Sequence, residues 1–384
     1  MKFISYSNEL FRSLKDILYV LNRTNKLKKF PILENFLFKI KEKNVLTITV
    51  SDLEITMTIS LNINSINFGS AVIPHKILLE ILKKIPEQPL TFCKEKENKL
   101  KILSHNGEYD FSIFSSEEYQ KSSLLRNNNQ KSSLLRNNNH FLISEKILLN
   151  IINNTLFAVG NDEIRPVLNG VFFDIENNIS NFVSTNSNFL VKYSIKDFSF
   201  NKEIRLIIPK KPLNILKYNL NDTNNNVYIS YNDLNTYFLF KTKKMRCSII
   251  NGNYPNYKSL MNKKYNKILI INKNYFLNAI KRVTLFSNRL TYQIILNFSK
   301  KRSQISSFDI NYNNKAFEYL FCNYDGEPLE IVFNSKYLIE ILSNINCEEI
   351  KFEMLNKNYS CRITPLMKNS KKEEILILIM PLSK

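Results

Sequence analysis

Ile73-Pro74-His75-Lys76-Ile77-Leu78-Leu79-Glu80-Ile81-Leu82, Ile208-Pro209-Lys210-Lys211-Pro212-Leu213-Asn214-Ile215-Leu216-Lys217 and Phe333-Asn334-Ser335-Lys336-Tyr337-Leu338-Ile339-Glu340-Ile341-Leu342 open alike and continue at helical spacing. Their second residues recur at domain-sized intervals, from position 74 to 209 and from 209 to 334. Such a repeat is too long for a solenoid of short units, so the chain reads as three copies of one domain.

A second series supports this division, because another amphipathic helix precedes each of these stretches. The three span residues 8–21, 144–157 and 274–286. Leu10, Leu14, Ile17, Leu18 and Leu21 form an apolar stripe on the first. Ser144 is placed to cap the second, which repeats the stripe with Leu148, Ile151, Ile152 and Thr155. Leu277, Ile280 and Val283 do so in the third. Each domain therefore carries two helices.

Short runs rich in Ile, Val, Phe, Tyr and Thr lie between the helices and suit pleated, half-buried strands. They include residues 35–40, 45–50, 171–175, 227–230, 237–240, 294–298 and 375–380. An apolar helical stripe must be buried, and the nearest partner is a sheet. The expected class is α+β: three similar domains, each with two helices packed on antiparallel sheets. Their expected limits are 1–119, 140–260 and 261–384, with residues 120–139 as a linker.

The 384 residues can bury several ordinary cores. A charged start without an apolar segment argues against a signal peptide, and no apolar run approaches a membrane span. Cys93, Cys247, Cys322, Cys347 and Cys361 show no CxxC spacing, which suits reduced thiols in a cytoplasmic protein.

The net charge of +20 invites a nucleic-acid reading. Abundant Asn, Lys and Ile beside only six Gly offer a second explanation, compositional drift at tolerant surface positions. Placement favours nucleic acid. Lys76 and Lys83 share one face of their helix, and Ile77, Ile81, Leu82 and Ile85 are expected on the buried one. Lys210, Lys211 and Lys217 repeat the basic face. Arg12 lies off the Leu stripe of the first helix, Arg23 and Lys26 follow it, and Lys281 and Arg282 lie on the corresponding helix of the third domain. An ordinary solvated face is the competing view for any one helix.

Chemistry is scarce. His75, His105 and His140 stand in no metal-ligand spacing, no Gly-rich phosphate loop exists, and the paired acids at 117–118, 348–349 and 373–374 lie in polar connectors. The expectation is a non-enzyme without cofactor or metal.

Met1-Lys2-Phe3, Pro31-Ile32-Leu33-Glu34-Asn35, Ser51-Asp52-Leu53-Glu54, the run Asn161-Asp162-Glu163-Ile164-Arg165-Pro166-Val167-Leu168-Asn169-Gly170, Asn253-Tyr254-Pro255-Asn256-Tyr257, Phe286-Ser287-Asn288 and Met380-Pro381-Leu382 occur in order along the chain. Together they resemble the bacterial DNA polymerase III beta subunit, the sliding clamp. The resemblance implies a DNA clamp fold that pairs head to tail into a ring-forming homodimer around duplex DNA, without sequence preference. It also implies two protein partners, the replicative polymerase catalytic subunit and a clamp-loader complex, and no membrane.

The resemblance further implies a peptide-binding pocket between the second and third domains. Its matching positions are Arg165, Leu168, Thr185, Leu190, Pro255, Leu260, Asn334, Tyr337, Met380, Pro381 and Leu382. Asn186-Ser187-Asn188-Phe189 departs from the family's usual Asp, small, His, basic pattern, and Ser259 replaces a frequent Arg, which points to an altered polar rim. For ring closure the implied residues are Phe111 and Ile113 on one side and Leu285 and Phe286 on the other; the alternative is that all four are core of their own domains. A further alternative is a peptide-binding scaffold of the same fold that no longer loads on DNA.

Residues 120–129 read QKSSLLRNNN, and residues 130–139 repeat them. The polar composition predicts a solvated connector, with a basic arm touching DNA as the sharper alternative.

Overall fold

A computed structural model describes residues 1–21, 30–96, 98–124, 139–176, 179–196, 198, 203–366 and 372–382. The first repeat runs β1 (Lys2–Tyr6), α1 (Ser7–Leu18), β2 (Phe36–Glu42), β3 (Val45–Ser51), β4 (Ile55–Asn62), β5 (Asn64–Asn67), β6 (Gly69–Ile73), α2 (His75–Lys84), β7 (Pro89–Lys96), β8 (Lys99–Leu103), β9 (Glu108–Ser112) and α3 (Ser116–Leu124). The second comprises β10 (Asn139–Ser144), α4 (Glu145–Thr155), β11 (Gly170–Ile175), β12 (Ile179–Thr185), β13 (Phe189–Lys196), β14 (Ile204–Pro209), α5 (Lys210–Asn219), β15 (Asn226–Tyr231), β16 (Asn235–Phe240), β17 (Lys243–Ser248) and the short α6 (Lys258–Met261). The third comprises β18 (Lys267–Asn272), α7 (Lys273–Thr284), β19 (Gln293–Phe298), β20 (Ser303–Asp309), β21 (Asn314–Leu320), β22 (Asn323–Asp325), β23 (Leu329–Asn334), α8 (Ser335–Asn344), β24 (Glu349–Met354), β25 (Cys361–Leu366) and β26 (Glu373–Ile379). Leaving aside β5, β22, α3 and α6, all three follow one order: strand, helix, four strands, helix, three strands.

The sheets are antiparallel, and they do not stop at the repeat limits. One compact unit comprises residues 1–148 and 215–249, and within it β17 of the second repeat pairs with β4 of the first, Met245 opposite Met57. The other unit comprises residues 149–214 and 250–384, and there β26 of the third repeat pairs with β13 of the second, Ile377 opposite Val191. The strands matching these pairs but left over are β9, the last strand of the first repeat, and β21, the counterpart of β4 and β13. Both are sheet edges.

Helix stripes build the cores. Leu10, Leu14 and Ile17 on α1, Leu148, Ile151 and Ile152 on α4, and Leu277, Ile280 and Val283 on α7 are buried. Ser144 Oγ accepts from the Ile147 amide at 3.2 Å, the expected cap. On α2 the buried face is rotated from expectation. Leu78, Leu82 and Ile85 are inside while Ile77 is 44% exposed, because the face set by i, i+4 and i+7 starts one residue later.

The start of the decamer also differs from expectation. Residues 120–124 complete α3, which Tyr119 anchors at 1% exposure and Ser115 Oγ caps through the Glu117 amide at 3.2 Å. An aromatic anchor and a cap outweigh polar composition here. Residues 125–138 lie outside the described residues, and with them most of the tandem repeat. Among the described residues no helix is long and apolar enough to cross a membrane.

Candidate functional site

The basic positions separate into displayed and engaged cations. In the first unit Arg12, Lys76, Lys83 and Lys217 are exposed and make no ion pair among the described residues. Arg23 and Lys26 lie outside the described residues. In the second unit Lys281 is exposed on α7, but two other cations are engaged by hydrogen bonds. Lys210 Nζ donates to the Val159 carbonyl at 2.9 Å. Arg282 forks onto Glu318 of β21, Nε at 2.8 Å and Nη2 at 2.7 Å, and this pairing raises its already high pKa. Lys211 is half-buried. Lys336, exposed at the start of α8, holds its ammonium 3.5 Å from the centre of the Tyr292 ring.

The eleven peptide-pocket positions all fall within the second unit. Arg165 is fixed by a fork onto Asp162 Oδ2, at 3.0 and 2.8 Å, and by a 2.7 Å bond to Ser187 Oγ. Asp162 in turn accepts from the Arg165 and Ile164 amides, and these bonds, the Arg165 amide foremost, hold its carboxyl below the usual range. Thr185 Oγ1 donates to the Phe189 carbonyl at 2.7 Å and accepts from the Ser187 amide at 3.1 Å. Asn186 Oδ1 accepts from the amides of Asn188 and Phe189, both at 3.1 Å, which lets Ser187 take a φ of +73°. The turn between β12 and β13 is thus built from its own polar side chains.

Leu168 is buried, and Leu190 joins a core with Val183, Tyr257, Leu376 and Leu378, against which Phe172, Tyr254 and Met261 pack. Tyr337 on α8 meets Phe189 with ring centres 5.9 Å apart. Asn334 serves as a cap: Oδ1 accepts from the Lys336 amide at 3.0 Å and Nδ2 donates to the Thr291 carbonyl at 3.1 Å. The Met380 amide donates to the Asn188 carbonyl and the Leu382 amide to the Val332 carbonyl, tying the terminal strand's exit to the same region. Pro255, Leu260 and Met380 are exposed, and Pro381 is half-buried.

Sequence reasoning missed several residues here. Phe189, where the resemblance led one to look for a basic rim residue, is 2% exposed and also faces the Phe157 ring at 6.2 Å. Ile164 and Leu290, at 91% and 90% exposure, are apolar side chains standing in solvent immediately before Arg165 and Thr291 in the sequence. An apolar residue within a polar loop was the available signal.

The four positions for self-association behave differently. Leu285 and Phe286 are 79% and 42% exposed after α7, beside a cavity of about 480 Å³ lined by Arg282, Lys315, Phe317 and Glu318. Phe111 and Ile113 are 9% and 3% exposed, so their side chains are core and are not offered to a partner. The pleat of β9 explains this, because Phe111 points inward opposite Leu100 while Glu108, Asp110 and Ser112 point out. Lys99 pairs with Asp110 at 2.8 Å and Lys101 with Glu108 at 3.3 Å.

Among the described residues no three His, Cys, Asp or Glu side chains gather in a way that could hold a metal. What repeats instead is an architecture. Residues 1–123 match the model for the DNA polymerase III beta subunit N-terminal domain, 142–256 that for its central domain and 258–383 that for its C-terminal domain.

The chain belongs to the DNA polymerase III beta subunit family.

It is 28% identical to the beta sliding clamp of Buchnera aphidicola over 99% of this chain and all of that protein. It is 24% identical to the beta sliding clamp of Haemophilus influenzae over the full length of both. Crystal structures of sliding clamps from Pseudomonas aeruginosa and Bacillus subtilis share the fold, each with a TM-score of 0.88, at 21% and 24% identity, covering all of this chain and 100% and 99% of theirs. The α+β clamp fold, the replication role and the absence of catalysis expected from the sequence all agree with membership of this family. It is a processivity subunit that works with DNA and the polymerase.

Proposed function

We propose that two copies of this chain close head to tail into a ring around duplex DNA, β9 of one copy pairing with β21 of the other. The observation that carries this reading is the repeated rule of strand pairing. The last strand of the second repeat pairs with β4, and the last strand of the third with β13, which leaves β9 and β21 as the only two counterparts on open edges among the described residues. Open edges carry unpaired amides and carbonyls that another strand satisfies. Leu285 and Phe286 supply the apolar surface beside β21.

The expected limits 1–119, 140–260 and 261–384 become 1–124, 139–260 and 261–384 once α3 and β10 are assigned to their repeats. Arg12, Lys76, Lys83, Lys217 and Lys281 would meet phosphates, which fix position without reading sequence and exchange as the ring slides. The surface around Leu168, Leu190, Leu260, Tyr337 and Met380 takes short apolar peptides of the polymerase and of a clamp loader, in the cytoplasm.

Sedimentation velocity at micromolar concentration tests ring closure. A dimer that becomes a monomer on Leu285→Asp with Phe286→Asp supports it. Two apolar side chains at roughly 1.5–3 kcal/mol each predict association weakened by about two orders of magnitude or more. A wild-type monomer, or a dimer indifferent to the double substitution, overturns it.

A further inference from the structure

The Tyr19 and Tyr218 rings stack with centres 4.5 Å apart and planes 2° from parallel, yet Tyr218 remains 63% exposed. Tyr19 follows α1 directly and Tyr218 lies in the last turn of α5, so the pair joins helices of the first and second repeats inside one compact unit. That junction is already secured by polar bonds. Lys243 Nζ donates to Asp16 Oδ2 at 2.6 Å and to Asn219 Oδ1 at 2.9 Å, and Asn219 Nδ2 donates to the Asp16 carbonyl at 3.1 Å. The exposed aromatic pair is therefore not required as the staple.

Neither tyrosine hydroxyl has a hydrogen-bond partner among the described residues. Arg12, Lys15 and Tyr19 lie at i, i+3 and i+7 along α1, and Lys217 adjoins Tyr218; all three cations are exposed and unpaired among the described residues. Of the α1 acids, Asp16 is held by Lys243, and Glu9 lies one turn before Arg12. The patch is thus cationic around a flat aromatic surface.

Bases within a duplex stack on one another and hide their faces from such a ring, whereas an unpaired base has a face to offer. Exposed aromatic planes in a cationic surface are the combination that holds single strands. We propose that Tyr218, backed by Tyr19, is a stacking site for unpaired DNA bases, engaged where single strand meets duplex. This rests on the reading that the basic helical faces meet DNA, and adds which form of DNA this corner recognises.

The test is fluorescence anisotropy of the full-length protein at low salt with a labelled blunt duplex and with the same duplex carrying an oligo-dT overhang. The overhang should tighten binding by about fivefold or more. Tyr218→Ala should abolish that gain and leave the blunt duplex unchanged, and Tyr218→Phe should keep it. Tyr218→Leu, which still covers Tyr19 but offers no ring, should behave as the alanine variant does. No gain in the wild type, an equal loss on both DNAs with Tyr218→Ala, or a gain retained by Tyr218→Leu overturns the stacking site while leaving duplex binding standing. Lys217→Glu and Arg12→Glu should weaken both DNAs; if neither is weakened, the DNA-facing reading fails and the proposal with it.

Discussion

The Tyr257 hydroxyl donates a 2.6 Å hydrogen bond to Asp174 Oδ2, both side chains being buried and 83 residues apart in sequence. Burial first, and then the Asp174 carboxylate, hold the phenol far above its ordinary pKa, so it stays a donor throughout the physiological range. The same Oδ2 lies 3.2 Å from Lys258 Nζ, and Arg205 Nε lies 3.5 Å from Oδ1. Because the Tyr257 ring packs against Leu190 and Leu378, the bond fixes the floor beneath the proposed peptide surface to β11.

Tyr257→Phe keeps the ring and removes the donor, leaving a buried carboxylate short of one partner. It should destabilise the protein by about 1–3 kcal/mol in denaturant titration. An unchanged midpoint would show that the bond is immaterial.

Phe189→Arg introduces the basic residue that the resemblance leads one to expect at this place. Here it replaces a ring buried against Phe157 and Tyr337, so it should lower stability by about 3 kcal/mol or more and weaken peptide binding. Thermal melts together with peptide titration check this, and a gain in affinity at unchanged stability would count against it.

These residues also show how far the chain could be read before its structure. Apolar stripes such as Leu10, Leu14 and Ile17 specify helices and their buried faces because a helix shows only one side to its core. Charge was less legible. Whether Arg282 is displayed or forked onto Glu318 depends on a strand 36 residues away, which local spacing does not encode. The inward turn of Phe111 follows from the pleat of β9, and the sequence there is too short to fix its phase. The pairing of β17 with β4 and of β26 with β13 is a matter of sheet edges, carried by backbone amides that every sequence possesses.

The displayed and engaged cations should separate in DNA binding. Lys76→Glu and Lys83→Glu should each weaken binding to any duplex sequence and reduce the salt dependence by about one phosphate contact. Lys210→Ala should do less, since its ammonium is already bonded to Val159, and Arg282→Ala should affect self-association instead. Anisotropy across a salt series measures all four, and equal effects would contradict the distinction.

His75, at the start of α2, has its pKa lowered from 6.5, first by burial and then by Lys76, with Glu34 opposing. A histidine disfavoured as a cation in the folded state binds more protons when unfolded. Its contribution to stability is therefore fully present above pH 6.5 and is lost as the pH falls through the lowered folded value. The stability difference between wild type and His75→Gln should be flat above pH 6.5 and change below it, as followed by denaturant titration at each pH. A pH-independent difference would contradict this assignment.

The most direct test of the ring is retention on DNA of different topology. The protein is loaded by a clamp loader onto nicked circular DNA, the excess removed by gel filtration, and the DNA then cut once. A closed ring sliding without sequence preference should stay with the circle and leave after linearisation. Equal retention on circular and linear DNA would contradict encirclement.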